Sequence, residues 1–173
     1  MFTIEQATNL LKLTKKVLQN DTLQEVIAFD QSFPFSYRFI LLSPDDEDFT
    51  FLYDINQSAK NQFKLTLYLL DNDTKIGLLR VDYSGQHKNP ETITDRVPEI
   101  FRPYIGTFFD YHVPHIHYYV EGYKTTMDWA LPLTKDNFPV KNISSSKDVL
   151  EAFYRFNEII RLTTIFNINP LLL

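Results

Sequence analysis

Apolar residues recur at helical spacing at the start of the chain. Ala7, Leu10, Leu11, Val17 and Leu18 share one stripe with Thr14, and Thr3 is followed three residues later by Gln6, the pattern of a capping box. The spacing predicts a first helix that runs to a stop at Asn20-Asp21. The pattern then changes to short alternating runs at 25–29, 36–42, 49–55, 62–70 and 75–83, which predict strands. Asp71, Asn72, Asp73 and Thr74 lie between the last two runs and hydrogen-bond readily to their own backbone, so these strands should form a hairpin.

Over residues 84–114 the alternation vanishes, and Pro90, Pro98, Pro103 and Pro114 rule out a continuous helix or a central strand. The segment is too rich in apolar residues to stay in water, among them Ile100, Phe101, Tyr104, Ile105, Phe108, Phe109 and Tyr111. It therefore reads as a long ordered loop. Alternation resumes at 115–120, turns at Glu121-Gly122 and continues over 125–133, which predicts a second hairpin. A polar stretch follows. Ser145 or Ser146 then caps a final helix with Val149, Leu150, Phe153, Phe156, Ile159 and Ile160 on one stripe. Short turns between strands imply antiparallel pairing. The expected fold is one α+β domain over 1–173, with a largely antiparallel sheet of about seven strands and the two terminal helices on one face.

Composition sharpens this picture. Aromatic residues make up 15% of the 173, a heavy load that favours a sheet over a helical bundle. The absence of cysteine removes disulfides, thiolate zinc sites and thiol nucleophiles together. A net charge of −5 disfavours nucleic acid as a partner, because the whole molecule repels a phosphate backbone. The N-terminus has no signal-peptide pattern, and Leu171-Leu172-Leu173 is far too short to span a bilayer. The expected location is cytoplasmic, with no membrane association.

The histidines carry the candidate chemistry. Three of the four fall in His112-Val113-Pro114-His115-Ile116-His117. On a strand, His115 and His117 project from one face with Cα atoms about 7 Å apart. Glu121 completes a His-x-His-x-x-x-Glu spacing like that of the first cupin metal motif, without that motif's glycines. His87 opens the long loop whose end is Pro114, so loop closure can bring it to His115 and His117. Paired imidazoles can supply a base and an acid at neutral pH. The candidate catalytic set is therefore His87, His115, His117 and Glu121. No metal and no cofactor are expected, because a strand pair of histidines lacks third and fourth ligands unless Glu121 and His87 both converge on it. No glycine-rich phosphate loop or serine elbow is present, and Asp45 to Asp48 lack the glycine and terminal glutamate of a calcium loop. Trp129 reads as core.

The run Pro114-His115-Ile116-His117-Tyr118-Tyr119-Val120-Glu121-Gly122-Tyr123, followed by Trp129-Ala130-Leu131-Pro132-Leu133, resembles the signature of a small prokaryotic family of unknown function. That family's pattern is approximately P-H-L-H-x-Y-x-E-G-Y and then W-A-x-P-L. The Gly85-x-His87-x-Asn89-Pro90 turn and the tail Asn167-Ile168 extend the resemblance. Two departures are a longer, more aromatic stretch over 91–113 and Phe166 where the family often has cysteine. The resemblance implies a fold and no mechanism.

Three functions are compatible with these features. The leading one is a non-catalytic protein-binding or inhibitory protein of mobile-element or virus–host-conflict type, whose loop offers Phe101, Tyr104, Phe108, Phe109 and Tyr111 to a protein partner. The second is a toxin-like ribonuclease or phosphodiesterase that uses the histidine cluster. The third is a histidine-based metal sensor.

Overall fold

In the structure, a computed structural model, residues 2–123 and 127–170 are described. Met1, residues 124–126 (and with them the expected strand start at Thr125) and Leu171-Leu172-Leu173 lie outside the described residues. Thr3 caps α1 (Ile4–Lys12) as the sequence predicts: its hydroxyl accepts from Gln6 N at 3.1 Å, and Gln6 Oε1 accepts from Thr3 N at 2.8 Å.

The helix ends earlier than the apolar spacing predicts. Asn20 and Asp21 both have positive φ, 51° and 57°, and form a two-residue hairpin turn rather than a helix stop. They join β1 (Lys16–Gln19) to β2 (Thr22–Gln24), so Val17 and Leu18 belong to a strand. A helical stripe and a short strand cannot be told apart over so few residues, and the turn decides between them.

The next five strands follow the sequence pattern closely: β3 (Val26–Gln31), β4 (Ser36–Leu42), β5 (Thr50–Gln57), β6 (Leu65–Asp71) and, after the Asp71–Thr74 turn, β7 (Gly77–Tyr83). Residues 84–114 are ordered and contain β8 (His87–Lys88), the 3-10 helix η1 (Glu99–Tyr104) and β9 (Phe108–Phe109). The chain continues through β10 (His115–Tyr118), β11 (Trp129–Pro132), α2 (Ser146–Ile159) and β12 (Ile165–Pro170). Ser145 caps α2, as predicted, by accepting from Asp148 N.

Eight strands form the main antiparallel sheet in the order β11-β10-β7-β6-β5-β4-β1-β2. β3 leaves this sheet and pairs in parallel with β12. The short antiparallel β8–β9 pair, which closes the 84–114 segment on itself, forms a third sheet.

Alternation divides the main sheet into two faces. One presents Leu65, Leu67, Leu69, Leu79, Val81 and Ile116 to a core completed by Ala7 and Leu10 of α1 and by Val149, Ala152, Phe153 and Phe156 of α2. Burial of each large side chain there is worth about 1.5–3 kcal/mol. The other face is polar. Cross-strand register aligns two rows on it: Arg38, Asp54, Tyr68, Arg80 and His117 in one, and Ser36, Asn56, Thr66, Asp82 and His115 in the next. No helix among the described residues is long and apolar enough to cross a membrane.

Candidate metal centre

The two polar rows become buried where they reach β10. There the β8–β9 pair lies against the sheet, and the Phe109 ring centroid lies 4.9 Å from that of His115. His115 stands directly across from Asp82 in the register of β10 and β7, and His117 across from Arg80. Asp82, His115 and His117 are all buried, and each offers a ligand atom within 4.8 Å of the others.

Hydrogen bonds fix how the rings are presented. His115 Nδ1 lies 2.9 Å from Val113 O, and His117 Nδ1 lies 2.8 Å from Met127 O. A carbonyl oxygen can only accept, so in both rings Nδ1 carries the proton. The neutral imidazole then presents an Nε2 lone pair, and both Nε2 atoms are buried without a hydrogen-bond partner. His117 Nε2 faces Asp82 Oδ2 at 3.2 Å, and His115 Nε2 faces the same oxygen at 3.9 Å. Both ring nitrogens thus converge on a single carboxylate oxygen.

Asp82 is held from the opposite side. Its Oδ1 accepts from Thr66 Oγ1 at 2.6 Å and from Arg80 Nη2 at 3.0 Å. Arg80 Nε also lies 2.7 Å from Oδ2, but without the alignment of a hydrogen bond. Burial pushes the Asp82 carboxyl upward, while the hydrogen bond and charge of His117 in its protonated form, together with Arg80 and Thr66, outweigh burial and hold it well below the usual carboxylate range; a cation bound in place of that proton would act in the same direction. Burial also lowers His115, to about 4, which keeps that ring neutral. Gly85 explains how the loop comes so close: a Cβ there would stand 3.3 Å from Asp82 Cβ.

His87 joins the cluster in a different role. Its ring centroid is 4.5 Å from that of His117 and 5.8 Å from that of His115. Its Nε2 faces two acceptors, Asp128 O at 2.9 Å and Asn89 Oδ1 at 3.1 Å, so in this ring Nε2 carries the proton. The Asn89 amide is itself oriented by Ala130, whose N–H donates to Oδ1 and whose carbonyl accepts from Nδ2, both at 2.9 Å. His87 thus packs against the centre and ties the loop to β11. Burial, with His117 adding to it, lowers its pKa.

Glu121, the carboxylate singled out by spacing, is absent from the cluster. It sits in the turn before Gly122, whose φ is 94°, and pairs with Arg96. The acidic partner of the histidines is instead Asp82, which the sequence reading passed over. Its signal was Arg80-x-Asp82, two charged residues on one face of the otherwise apolar run Leu78, Leu79, Val81, Tyr83.

The candidate binding aromatics divide. Phe101 and Phe109 are buried, at 3% and 2% exposure, and Tyr104 packs partly buried against the core. Phe108 and Tyr111 are 56% and 50% exposed. A polar cleft of about 370 Å³ opens beside the centre, lined by Tyr68, Arg80, Asp82, Gln86, His87, His117, Met127 and Asp128.

The geometry suits a divalent ion. Bonds of about 2.1 Å put neighbouring ligand atoms of a tetrahedral site about 3.4 Å apart, close to the two spacings around Asp82 Oδ2. Backbone carbonyls on both Nδ1–H groups, and Thr66 and Arg80 on the carboxylate, are the outer contacts that orient ligands in metal sites.

A family model described as Family of unknown function (DUF6978) matches residues 2–159. No curated protein and no solved structure matches the chain.

Proposed function

The chain belongs to that family of unknown function, DUF6978, and we propose that it binds one divalent first-row transition-metal ion through His115 Nε2, His117 Nε2 and a carboxylate oxygen of Asp82, and acts through that ion. The observation that carries this reading is geometric: two buried Nε2 atoms, neither with a hydrogen-bond partner, face one oxygen of a buried carboxylate. Left so, the two buried Nε2 atoms forgo hydrogen bonds worth about 1–3 kcal/mol each. A cation satisfies both at once and is neutralised in part by the Asp82 carboxylate between them. Two imidazoles and one carboxylate suit zinc, iron or manganese, and three protein ligands leave coordination positions for water or a substrate. The metal-free alternative, acid–base cleavage of a phosphodiester by the histidines, has less support, since a ring that stays neutral down to about pH 4 is a poor acid at neutral pH.

The test is metal content and affinity of untagged protein after chelator treatment and reloading with zinc. One ion per chain is expected, with His117→Ala and Asp82→Asn each weakening binding by about 100-fold or more while circular dichroism is unchanged. Wild-type protein that takes up no stoichiometric zinc, manganese or iron would end the metal reading.

A second reading, protein binding by the loop, is favoured by one observation: Phe108 and Tyr111 keep large aromatic area in solvent on an ordered segment. Phe101 and Phe109 do not serve it, being part of the packing beneath. The surface available to a partner is accordingly Phe108, Tyr111 and their exposed apolar neighbours Ile105 and Val113.

A further inference from the structure

We infer that the cleft beside this centre receives a small molecule bearing an oxyanion, with one oxygen on the metal and another on the Arg80 guanidinium. The inference rests on the metal reading and adds the ligand class.

Charge balance is the first argument. The two imidazoles are neutral donors, and Asp82 and Arg80 cancel each other. A divalent ion therefore leaves two uncompensated positive charges at the cleft. Counting Asp128, another residue of the cleft, as fully ionised still leaves one. A partly enclosed site with that surplus favours an anionic ligand, since water screens it less than it would an open surface.

Donor geometry is the second. Arg80 turns Nε and Nη2 toward Asp82, while Nη1 carries two more N–H donors on a side chain 38% exposed beside the cleft. The Tyr68 ring lies under the guanidinium at 5.9 Å and Asp82 anchors its edge, so the donors are fixed before a ligand arrives. A guanidinium fork held beside a metal matches an oxyanion and is poorly used by a neutral ligand.

Size and net charge set the limit. A cleft of about 370 Å³ lies at the lower end of the range for small-molecule sites. The chain as a whole carries −5, which repels a polyanion while leaving a single oxyanion free to reach a locally positive cleft. Phosphate esters and carboxylates share the required chemistry.

Cobalt-loaded protein provides the test, because the visible absorption of bound cobalt(II) responds to a change in its ligands. Inorganic phosphate and acetate are titrated separately. A saturable spectral change with at least one of them is expected, and the tighter of the two identifies the source. Arg80→Gln, compared at equal cobalt occupancy, should weaken that anion at least 10-fold, with Arg80→Lys falling between. No spectral change with either anion on fully loaded wild type overturns the inference and leaves the metal reading standing. An unchanged anion affinity in both Arg80 variants overturns the assignment of the second oxygen. A single-stranded oligonucleotide that binds more tightly than either small anion overturns the ligand class. Failure of cobalt to bind removes the metal reading and this inference together.

Discussion

Lys15 and the His115–His117–Asp82 centre are two buried polar clusters in one small domain, and they differ in whether their hydrogen-bonding capacity is used. The Lys15 ammonium donates to Leu10 O, Leu11 O and Leu13 O at the end of α1 and to Ile160 O at the end of α2, at 2.8–3.2 Å. It also lies 4.7 Å from the centre of the Phe51 ring. Helix C-termini leave carbonyls without partners, and one cation closes both. The histidine centre is the reverse case: its outer contacts are complete, while its two inner Nε2 atoms have no hydrogen-bond partner. A saturated cluster joins pieces of the fold. An unsaturated one, equally buried and more carefully oriented, has a place for something the chain does not supply.

The largest expected effect tests the saturated side. Burial, with Arg161 adding to it, draws Lys15 down to about 7, so the ammonium is intact at pH 6. Lys15→Met should there lower unfolding stability by about 4 kcal/mol, since four carbonyls lose the three N–H donors they share. Urea denaturation should give the same loss with zinc or with chelator present. A loss below about 0.5 kcal/mol would mean that water replaces the ammonium freely and that the cluster is no staple.

Next comes the pH response of the metal-free protein. His115 protonates at about 4 in the folded chain against 6.5 unfolded, so between those values the unfolded state binds the extra proton. Stability should therefore fall as pH drops from 6.5 to 4, with about 3 kcal/mol of the fall due to this residue. His115→Phe isolates it: wild type should lose that much more than the variant across the window. Equal losses would show that water already solvates the His115 ring.

Smaller again is the effect of the outer contacts. Thr66→Val deletes the hydroxyl that holds Asp82 Oδ1. Zinc affinity, read by competition with a chromophoric chelator, should fall about 10-fold, or about 1.4 kcal/mol. An unchanged affinity would mean that Arg80 alone orients the carboxylate.

The smallest effect is expected at the loop. Phe108→Asp should change stability by no more than about 0.5 kcal/mol, because the ring is largely in solvent. A calorimetric scan showing a multi-degree loss would assign Phe108 to the core and withdraw it from the partner surface.

Sequence patterns determined a good deal of this protein. The capping box at Thr3 and Gln6, the alternation along β4 to β7, the Asp71–Thr74 turn and the Ser145 cap depend on neighbours a few residues apart, and each appears where the pattern predicts. The common face of His115 and His117 is equally local, a consequence of strand period. Only tertiary structure decided the rest. Val17 and Leu18 suit helix or strand, and pairing with β4 and β2 settled the matter. The Ile165–Pro170 strand exists because β3 offers an edge more than 130 residues earlier in the chain.

The site shows the same division most sharply. Glu121 lies four residues from His117 and faces Arg96, whereas Asp82 lies 33 residues before His115 and faces it. The intervening residues 84–114 set no periodic relation between β7 and β10. The register that puts Asp82 opposite His115 follows from burying Val81 and Ile116 on the other face, and a slip of one residue would turn the carboxylate into the core. Spacing along the chain could name the histidines; their carboxylate was chosen by which sides of two distant strands had to be dry.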